Sequence, residues 1–262
     1  MRAACASAAL LLAFACAPGG ALAQVQPGEG IQIGLSTDVI RITADFSGAD
    51  LTIFGSIENA DPTINRQGRY DVIVVLEGPA RPVTVRRKSR VLGVWVNTES
   101  EGFLGVPESY SVATTRPLQD ITNPVSYKQL ALGANSLHFT PFDPAGTPAT
   151  IAQFAAALRE RKEATGLYSQ RIGGVQFLSA NLFRASLFLA PNVPVGTHKA
   201  RAFLFRNGLF VKETSTNLAI VKSGFEQMIF RLSTNHSIFY GFLAVGLAMV
   251  TGWLGRLIFR RD

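Results

Sequence analysis

Apolar and polar residues alternate along most of the first half of the chain. In the stretch that starts at Ile31, for example, apolar side chains occupy every second position. A period of two is typical of β-strands that bury one face. The pattern predicts strands at residues 31–35, 39–44, 51–57, 70–76, 83–87, 91–97 and 110–114. Short strands separated by turn residues predict a mainly β fold, an immunoglobulin-like β-sandwich over residues 24–122.

The pattern changes after Pro117, and residues 123–169 are predicted to form a helical segment. Asn123-Pro124 and Thr147-Pro148 each combine an N-cap residue with proline at the first helical position. The first of these helices is expected to run to Gly133. In the second, apolar residues recur at three- and four-residue intervals, so we expect one face to pack on the sheets. Those residues are Ile151, Phe154, Ala155 and Leu158.

Strand periodicity returns in residues 170–223, which are predicted to form a second β-rich segment that packs on the first. Apolar or small residues alternate with others from Phe183 to Leu189, and another strand is predicted at 199–206. Asn207-Gly208 then predicts a tight hairpin, because both residues tolerate the positive φ of a type I′ turn. The chain should return antiparallel over residues 209–213, and a further strand is expected at 217–222.

The C-terminal part of the sequence predicts a membrane anchor. A juxtamembrane helix over 224–236 should lead with little or no break into a transmembrane helix over 237–259, since residues 238–255 contain no charge. Eighteen residues of helix span about 27 Å, close to the thickness of a bilayer's apolar core. Tyr240 and Trp253 fit interfacial anchors at its two ends, and Arg256, Arg260 and Arg261 predict a cytoplasmic tail at 260–262 by the positive-inside rule.

Residues 1–23 have the form of a secretory signal peptide: Arg2, a short apolar run and an Ala-x-Ala site that ends at Ala23. A retained anchor and lipidation at Cys16 are the alternatives. Cleavage after Ala23 would remove Cys5 and Cys16, the two cysteines of the chain, and leave no thiol for a disulfide or a metal. With the C-terminal helix, this predicts a single-pass protein of the bacterial inner membrane whose N-terminal domain is periplasmic.

Composition and charge exclude one class of partner. The formal net charge is +7, with 16% charged and 47% hydrophobic residues. Part of the apolar content belongs to the two terminal segments, and part of the positive charge belongs to the C-terminal tail. The small basic excess that remains is no indication of nucleic-acid binding, and export makes such a partner less suitable still.

One exported stretch is strongly basic. Arg86, Arg87, Lys88 and Arg90 are four cations within five residues. Such a stretch could face anionic lipid headgroups, polysaccharide or an acidic partner. The interpretation that we favour is an edge strand that its charges keep soluble and unpaired. We expect Trp95 to lie in the core, and the polar residues 97–101 to form an exposed loop.

In the predicted membrane helix, Ala244, Ala248 and Gly252 place a small residue at every fourth position on one face. Such a ladder lets a second helix approach closely, either from another copy of the chain or from another inner-membrane protein. Because alanine and glycine are common in membrane helices, coincidence is the alternative interpretation.

The sequence contains no recognisable catalytic or metal-binding motif. His138, His198 and His236 are isolated in the sequence and are expected at surfaces or interfaces, and no zinc pattern is present. No cofactor is predicted. Two carboxylate pairs, Glu99 with Glu101 and Asp45 with Asp50, leave a glycan hydrolase as the alternative to a binding protein. No catalytic residue is assigned. A ligand-sensing domain is a third class, which the short tail disfavours.

Several separated stretches resemble a known family: residues 86–97 (RRKSRVLGVWVN), 106–110 (VPESY), 116–118 (RPL), 182–185 (LFRA) and 192–196 (NVPVG), and the pairs Tyr240-Gly241 and Gly252-Trp253. The family is the alphaproteobacterial "putative transmembrane protein" family. The resemblance implies an exported chain of about this length with a C-terminal anchor. Such proteins have no established activity and are often encoded beside permeases similar to sulfite exporters, so the resemblance implies an accessory role, and it transfers no functional residues.

Overall fold

The computed structural model describes residues 28–43, 45–143 and 146–258. The predicted signal peptide, Arg260 and Arg261 lie outside these residues. The strands are β1 (Gly30–Leu35), β2 (Val39–Ile42), β3 (Ala49–Glu58), β4 (Tyr70–Glu77), β5 (Ala80–Val91), β6 (Val94–Pro107), β7 (Tyr110–Thr114), β8 (Thr140–Pro141), β9 (Tyr168–Ile172), β10 (Val175–Phe177), β11 (Leu182–Leu189), β12 (Gly196–Arg206) and β13 (Leu209–Lys222). The helices are α1 (Pro62–Arg66), α2 (Leu118–Ile121), α3 (Pro124–Gln129), α4 (Pro148–Ala164), α5 (Phe225–Asn235) and α6 (Ser237–Ile258), with one 3₁₀ turn at Ala134–Ser136.

Two sheets form a sandwich. One has the strand order β1-β3-β11-β10 and the other β2-β13-β12-β4-β7-β9. Both sheets contain strands from before and after the helical segment, because β3 pairs with β11 and β4 pairs with β12. The predicted fold class, a mainly β sandwich with a helical insertion and a C-terminal apolar helix, is confirmed.

Strand β4 shows how the sequence builds the sandwich. It is buried on both faces: Val72 and Val74 belong to the core between the two sheets, while Ile73 and Val75 lie beneath the helical segment. Leu132, Leu137 and other residues of that segment cover the outer face of the six-stranded sheet. A strand covered on both sides needs a nearly continuous apolar run, which is what residues 72–76 provide.

A third sheet, β5-β6-β8, stands apart from the sandwich and packs on α4. The predicted apolar stripe of α4 is confirmed, since Phe154, Ala155 and Leu158 are buried against Phe103 and Val106 of β6. Thr147 caps α4, with its hydroxyl oxygen accepting a hydrogen bond from the Thr150 amide. Burial of this stripe fixes the sheet to the rest of the domain.

The boundaries of some helices and turns differ from prediction. Asn123 caps α3 as expected, but the helix ends at Gln129, and a separate 3₁₀ turn follows Gly133. The Asn207-Gly208 hairpin is confirmed, with φ of 50° and 84° at the two residues. As predicted, α5 leads into α6 with only a short break, at His236.

Candidate functional site

Among the described residues, the most exposed large apolar side chain belongs to Leu92, at the tip of the β5–β6 hairpin. Leu92 and Gly93 connect the strands with φ of 51° and 87°, the positive pair that a type I′ turn requires. Leu92 is 99% exposed and Trp95 is 66% exposed. The expectation that Trp95 lies in the core is therefore wrong. Trp95 lies in the part of β6 that has little packed against it. The alternation of residue types along the chain does not show that this part of the strand is exposed.

The hairpin is also much longer than predicted. The residues assigned to a loop at 97–101 belong to β6, which runs on to Pro107. Arg87 pairs with Glu99 and Lys88 pairs with Asn97, so that Thr98 is an extra residue in β6. This is a β-bulge, and it leaves the alternation of β5 unchanged.

The four predicted cations are brought together, but they do not share one environment. The Arg87 side chain faces α4: its guanidinium lies 3.0 Å from the Glu99 carboxylate and 2.9 Å from the Gln153 side chain, and stacks 5.2 Å from the centre of the Phe154 ring. Arg87 therefore has a structural role in holding the hairpin on α4.

Arg86, Lys88 and Arg90 occupy alternate positions of β5, so their side chains point to the face opposite α4. All three are exposed. Arg90 lies directly across the ladder from Trp95, which places the indole ring on this same face. The Nε–H of Arg90 donates to the Gly93 carbonyl oxygen at 3.2 Å. We call Arg86, Lys88, Arg90, Leu92 and Trp95 the basic tip.

The root of the hairpin continues the ladder of the six-stranded sheet. Glu77 of β4 pairs with Tyr110 of β7, and Ala80 of β5 pairs with Pro107 of β6. Between these two pairs the Gly78 amide donates to the Ser109 carbonyl oxygen at 2.8 Å, and the Glu108 amide donates to that of Pro79 at 2.9 Å. The hairpin is thus an extension of the β4–β7 pair beyond the end of the sheet.

A buried polar pair lies at this root. His198 is 0% exposed, which corrects the expectation that it sits at a surface or interface, and its Nε2 lies 3.2 Å from the Ser109 hydroxyl. Its Nδ1 faces the Gly196 carbonyl oxygen at 3.2 Å, where a catalytic triad would place a carboxylate. Both side chains are buried, so this arrangement supports packing of the root and offers no reachable nucleophile.

A cavity of roughly 1000 Å³ opens at the other end of the sandwich. Glu29 accepts hydrogen bonds from the Tyr70 hydroxyl at 2.5 Å and from the Arg206 guanidinium at 3.0 Å. Burial, with the bond to Glu29 adding to it, raises the pKa of Tyr70 to about 12. These three groups satisfy one another and stabilise the wall of the cavity.

One carboxylate of each pair considered for hydrolysis lies in an ion pair at the surface. Glu99 is paired with Arg87, and Asp50 lies 3.1 Å from Arg171. Within residues 28–43, 45–143 and 146–258, the structure brings together no group of three His, Cys, Asp or Glu side chains suited to a metal ion.

The predicted membrane residues lie on α6. Ala244, Ala248 and Gly252 are spaced by four and share one face of the helix, which is exposed along its length. Tyr240 lies in its first turns and Trp253 near its end, while Arg256 is in the last turn. In the described part of the chain, one helix is long and apolar enough to cross a membrane, the Ser237–Arg256 stretch, and none of it is buried in the domain.

Fold and helix together define a β-sandwich protein with a single C-terminal apolar helix of membrane-spanning length. The chain matches the family described as "Putative transmembrane protein (Alph_Pro_TM)" over residues 30–261. It therefore belongs to that family, as the resemblance in its sequence motifs predicted, and it is a membrane protein with one candidate transmembrane helix.

Comparisons with individual proteins add little. None of the curated proteins matches the chain. Among solved structures, it is similar to AggA, the major subunit of aggregative adherence fimbriae type I from Escherichia coli. The sequence identity is 9%, the match covers 76% of this chain and 98% of AggA, and the TM-score is 0.27.

Proposed function

We propose that this protein is a non-catalytic accessory protein of the bacterial inner membrane, whose β-sandwich lies in the periplasm and works by binding. The orientation is supported by the signal-peptide pattern of residues 1–23 and by the arginines that follow the apolar helix. The family resemblance adds a permease similar to sulfite exporters as a protein partner that such an accessory could serve.

The observation that carries the binding role is the basic tip. Exposure of the Leu92 and Trp95 side chains to water is unfavourable, and three cations surround them. An apolar patch with a polar rim is typical of an interaction site. Tryptophan and arginine are also the residues that contribute most often to binding energy in interfaces. A long, fixed hairpin that ends in such residues is therefore best explained as a binding element.

The hydrolase alternative has weaker support. Glu99 contributes its carboxylate to an ion pair with Arg87, and Asp50 does the same with Arg171. A glycosidase instead needs two carboxyl groups facing each other across a cleft, about 5 to 9.5 Å apart.

The orientation can be tested by labelling with a membrane-impermeant maleimide. Both native cysteines, Cys5 and Cys16, are replaced by alanine. Single cysteines are then introduced as Gln170→Cys on the exposed edge strand β9 and as Asp262→Cys in the tail. In spheroplasts we expect labelling of the first variant alone, and of both after the membrane is opened. Labelling of the tail in intact spheroplasts would contradict the proposed topology.

The binding role can be tested by photo-cross-linking in living cells. A benzophenone amino acid is placed at Trp95, and in a matched control at Leu209, which is also exposed but lies beside the Asn207-Gly208 turn at the far end of the sheet. We expect adducts at position 95 and none at 209. Absence of adducts at both positions, or equal yields, would contradict binding through the basic tip.

A further inference from the structure

We infer that the basic tip binds the anionic phospholipid surface of the same membrane that α6 spans. The inference rests on the proposed function, which places the sandwich beside that membrane, and it names the binding partner. Three features support it: where the hairpin leaves the domain, how far it reaches, and which residues it carries.

The hairpin and the membrane anchor leave the sandwich at the same end. Lys199 pairs with Glu77, the last residue of β4, and Gly196 pairs with Ile220, two residues before the end of β13. Pro79, at the hairpin root, lies beside Gly196, and a Cβ at Gly196 would be 3.3 Å from its ring. The chain that continues from β13 into α5 and α6 therefore starts next to the root of the hairpin.

The reach of the hairpin suits contact with a membrane. Since β5 has twelve residues, it extends by about 40 Å. The hairpin prolongs the β4–β7 ladder, and beyond the root its β6 strand packs on α4 and pairs with β8. Its tip therefore projects away from the sandwich at the end that carries the anchor.

The chemistry of the tip matches an anionic interface. Residues 86–98 contain four cations and no acidic residue, and Arg87 is neutralised by Glu99. Arg86, Lys88 and Arg90 remain on one face with Trp95 across from Arg90. Cations beside a membrane gain energy from anionic headgroups, and tryptophan is favoured where headgroups meet acyl chains.

The end of the hairpin is apolar on its other face as well. Val91 and Val94 form the last cross-strand pair, and Val94 is 64% exposed. Leu92 projects beyond that pair. Insertion of these side chains below the headgroups would bury apolar surface that the domain itself leaves in water. An acidic protein would attract the cations, but it would not by itself account for the aliphatic end.

The test uses the full chain reconstituted in nanodiscs. The chain has two tryptophans, so Trp253→Phe leaves Trp95 as the fluorescent reporter. Discs are made from phosphatidylcholine alone or from equal parts of phosphatidylcholine and phosphatidylglycerol. With the anionic lipid we expect a blue-shifted emission, quenching by brominated acyl chains, and a several-fold drop in quenching by acrylamide. High salt should reverse these changes, since it screens the cations.

Two charge variants sharpen the experiment. Replacement of Arg86, Lys88 and Arg90 together by glutamine should abolish the protection of Trp95. A control removes the same charge from exposed positions elsewhere, Arg66, Lys128 and Arg161, and should leave the protection unchanged. Thermal unfolding of both variants establishes that each is folded.

The inference would be overturned if acrylamide quenched Trp95 equally well in both kinds of disc. It would also be overturned if Trp95 were protected to the same extent in discs without anionic lipid. If Trp95 were protected in native membrane vesicles but not in anionic discs, its partner would be a protein. That result would overturn lipid binding and leave the proposed binding function standing. The maleimide experiment tests the topology separately, so failure of the two proposals can be distinguished.

Discussion

The Nε2 atom of His198 lies 3.2 Å from the hydroxyl oxygen of Ser109, inside the root of the β5–β6 hairpin. The two residues are 89 positions apart in the chain, and their contact joins β12 to the segment between β6 and β7. Burial lowers the pKa of His198, while the Gly196 carbonyl and the Glu108 carboxylate act in the opposite direction. The ring is therefore held neutral where the hairpin meets the sandwich.

This arrangement predicts loss of stability in mild acid. In the unfolded chain the pKa of His198 returns to about 6.5, above its value in the folded state. Its contribution to stability is then fully present above about pH 6.5 and is lost as the pH falls toward the folded-state pKa. Melting temperatures at about pH 7.5 and about pH 5 should differ less for His198→Gln than for the unmodified chain.

The matched control for this prediction is His138→Gln. His138 is exposed, so its replacement measures the effect of removing a histidine that the fold does not bury. The same loss of melting temperature in the His198 variant as in the unmodified chain would contradict the assignment of this acid sensitivity to His198.

A second prediction compares two ion pairs of different burial. Arg116 makes a bidentate contact with Asp71, whose side chain is buried and also accepts from the Thr115 hydroxyl. Arg116→Ala leaves that carboxylate without its cation and should cost about 2–4 kcal/mol of unfolding free energy. In contrast, Arg171 and Asp50 are both well exposed, so Arg171→Ala should cost at most about 1 kcal/mol.

Chemical denaturation of the two variants measures the difference. If charge burial is the cause, adding Asp71→Asn to Arg116→Ala should recover part of the loss, since a neutral amide is less costly to bury than an unpaired carboxylate. Equal losses in Arg116→Ala and Arg171→Ala would argue against this account.

A third prediction concerns Gly55 in β3. A Cβ at Gly55 would lie 2.6 Å from the Gln32 carbonyl oxygen and closer still to the ring of Phe183, which is fully buried. Gly55→Ala should therefore force the ring or β1 to move and destabilise the fold by about 1–3 kcal/mol. Gly34→Ala in the neighbouring strand β1 is the control, since a Cβ there meets no atom within 4 Å. A matched loss in both variants would refute the steric explanation.

The features of the fold that could be predicted from the sequence are local ones. Strand and helix periods follow burial directly, which is why the alternation from Phe183 to Leu189 and the stripe of α4 were predicted correctly. The N-caps Asn123 and Thr147 and the Asn207-Gly208 turn are also local, because a few neighbouring residues determine the backbone there. The apolar helix α6 needs only its own composition.

Other features depend on residues distant in the chain. Trp95 is exposed because β5 and β6 extend past the sandwich, and nothing in residues 91–97 alone indicates that. His198 is buried because the β6–β7 connection closes over it, 89 residues away in sequence. Arg87 lies on the α4 face of the hairpin, and the cations of the basic tip lie on the other face. This division follows from the register of β5 and β6, which could not be predicted from the sequence. The clustering of the four cations was visible in the sequence, but not which of them are free to bind.

The last prediction concerns the face of α6 that carries Ala244, Ala248 and Gly252. If this ladder lets two copies of the helix pack closely, Ala248→Leu should fill the contact and lower self-association several-fold, measured by co-isolation of two differently tagged copies in mild detergent. Val250→Leu adds a similarly apolar side chain about 200° around the helix and should leave association unchanged, which separates packing from a general effect on insertion. Equal association of both variants and the unmodified chain would contradict a self-contact through this face.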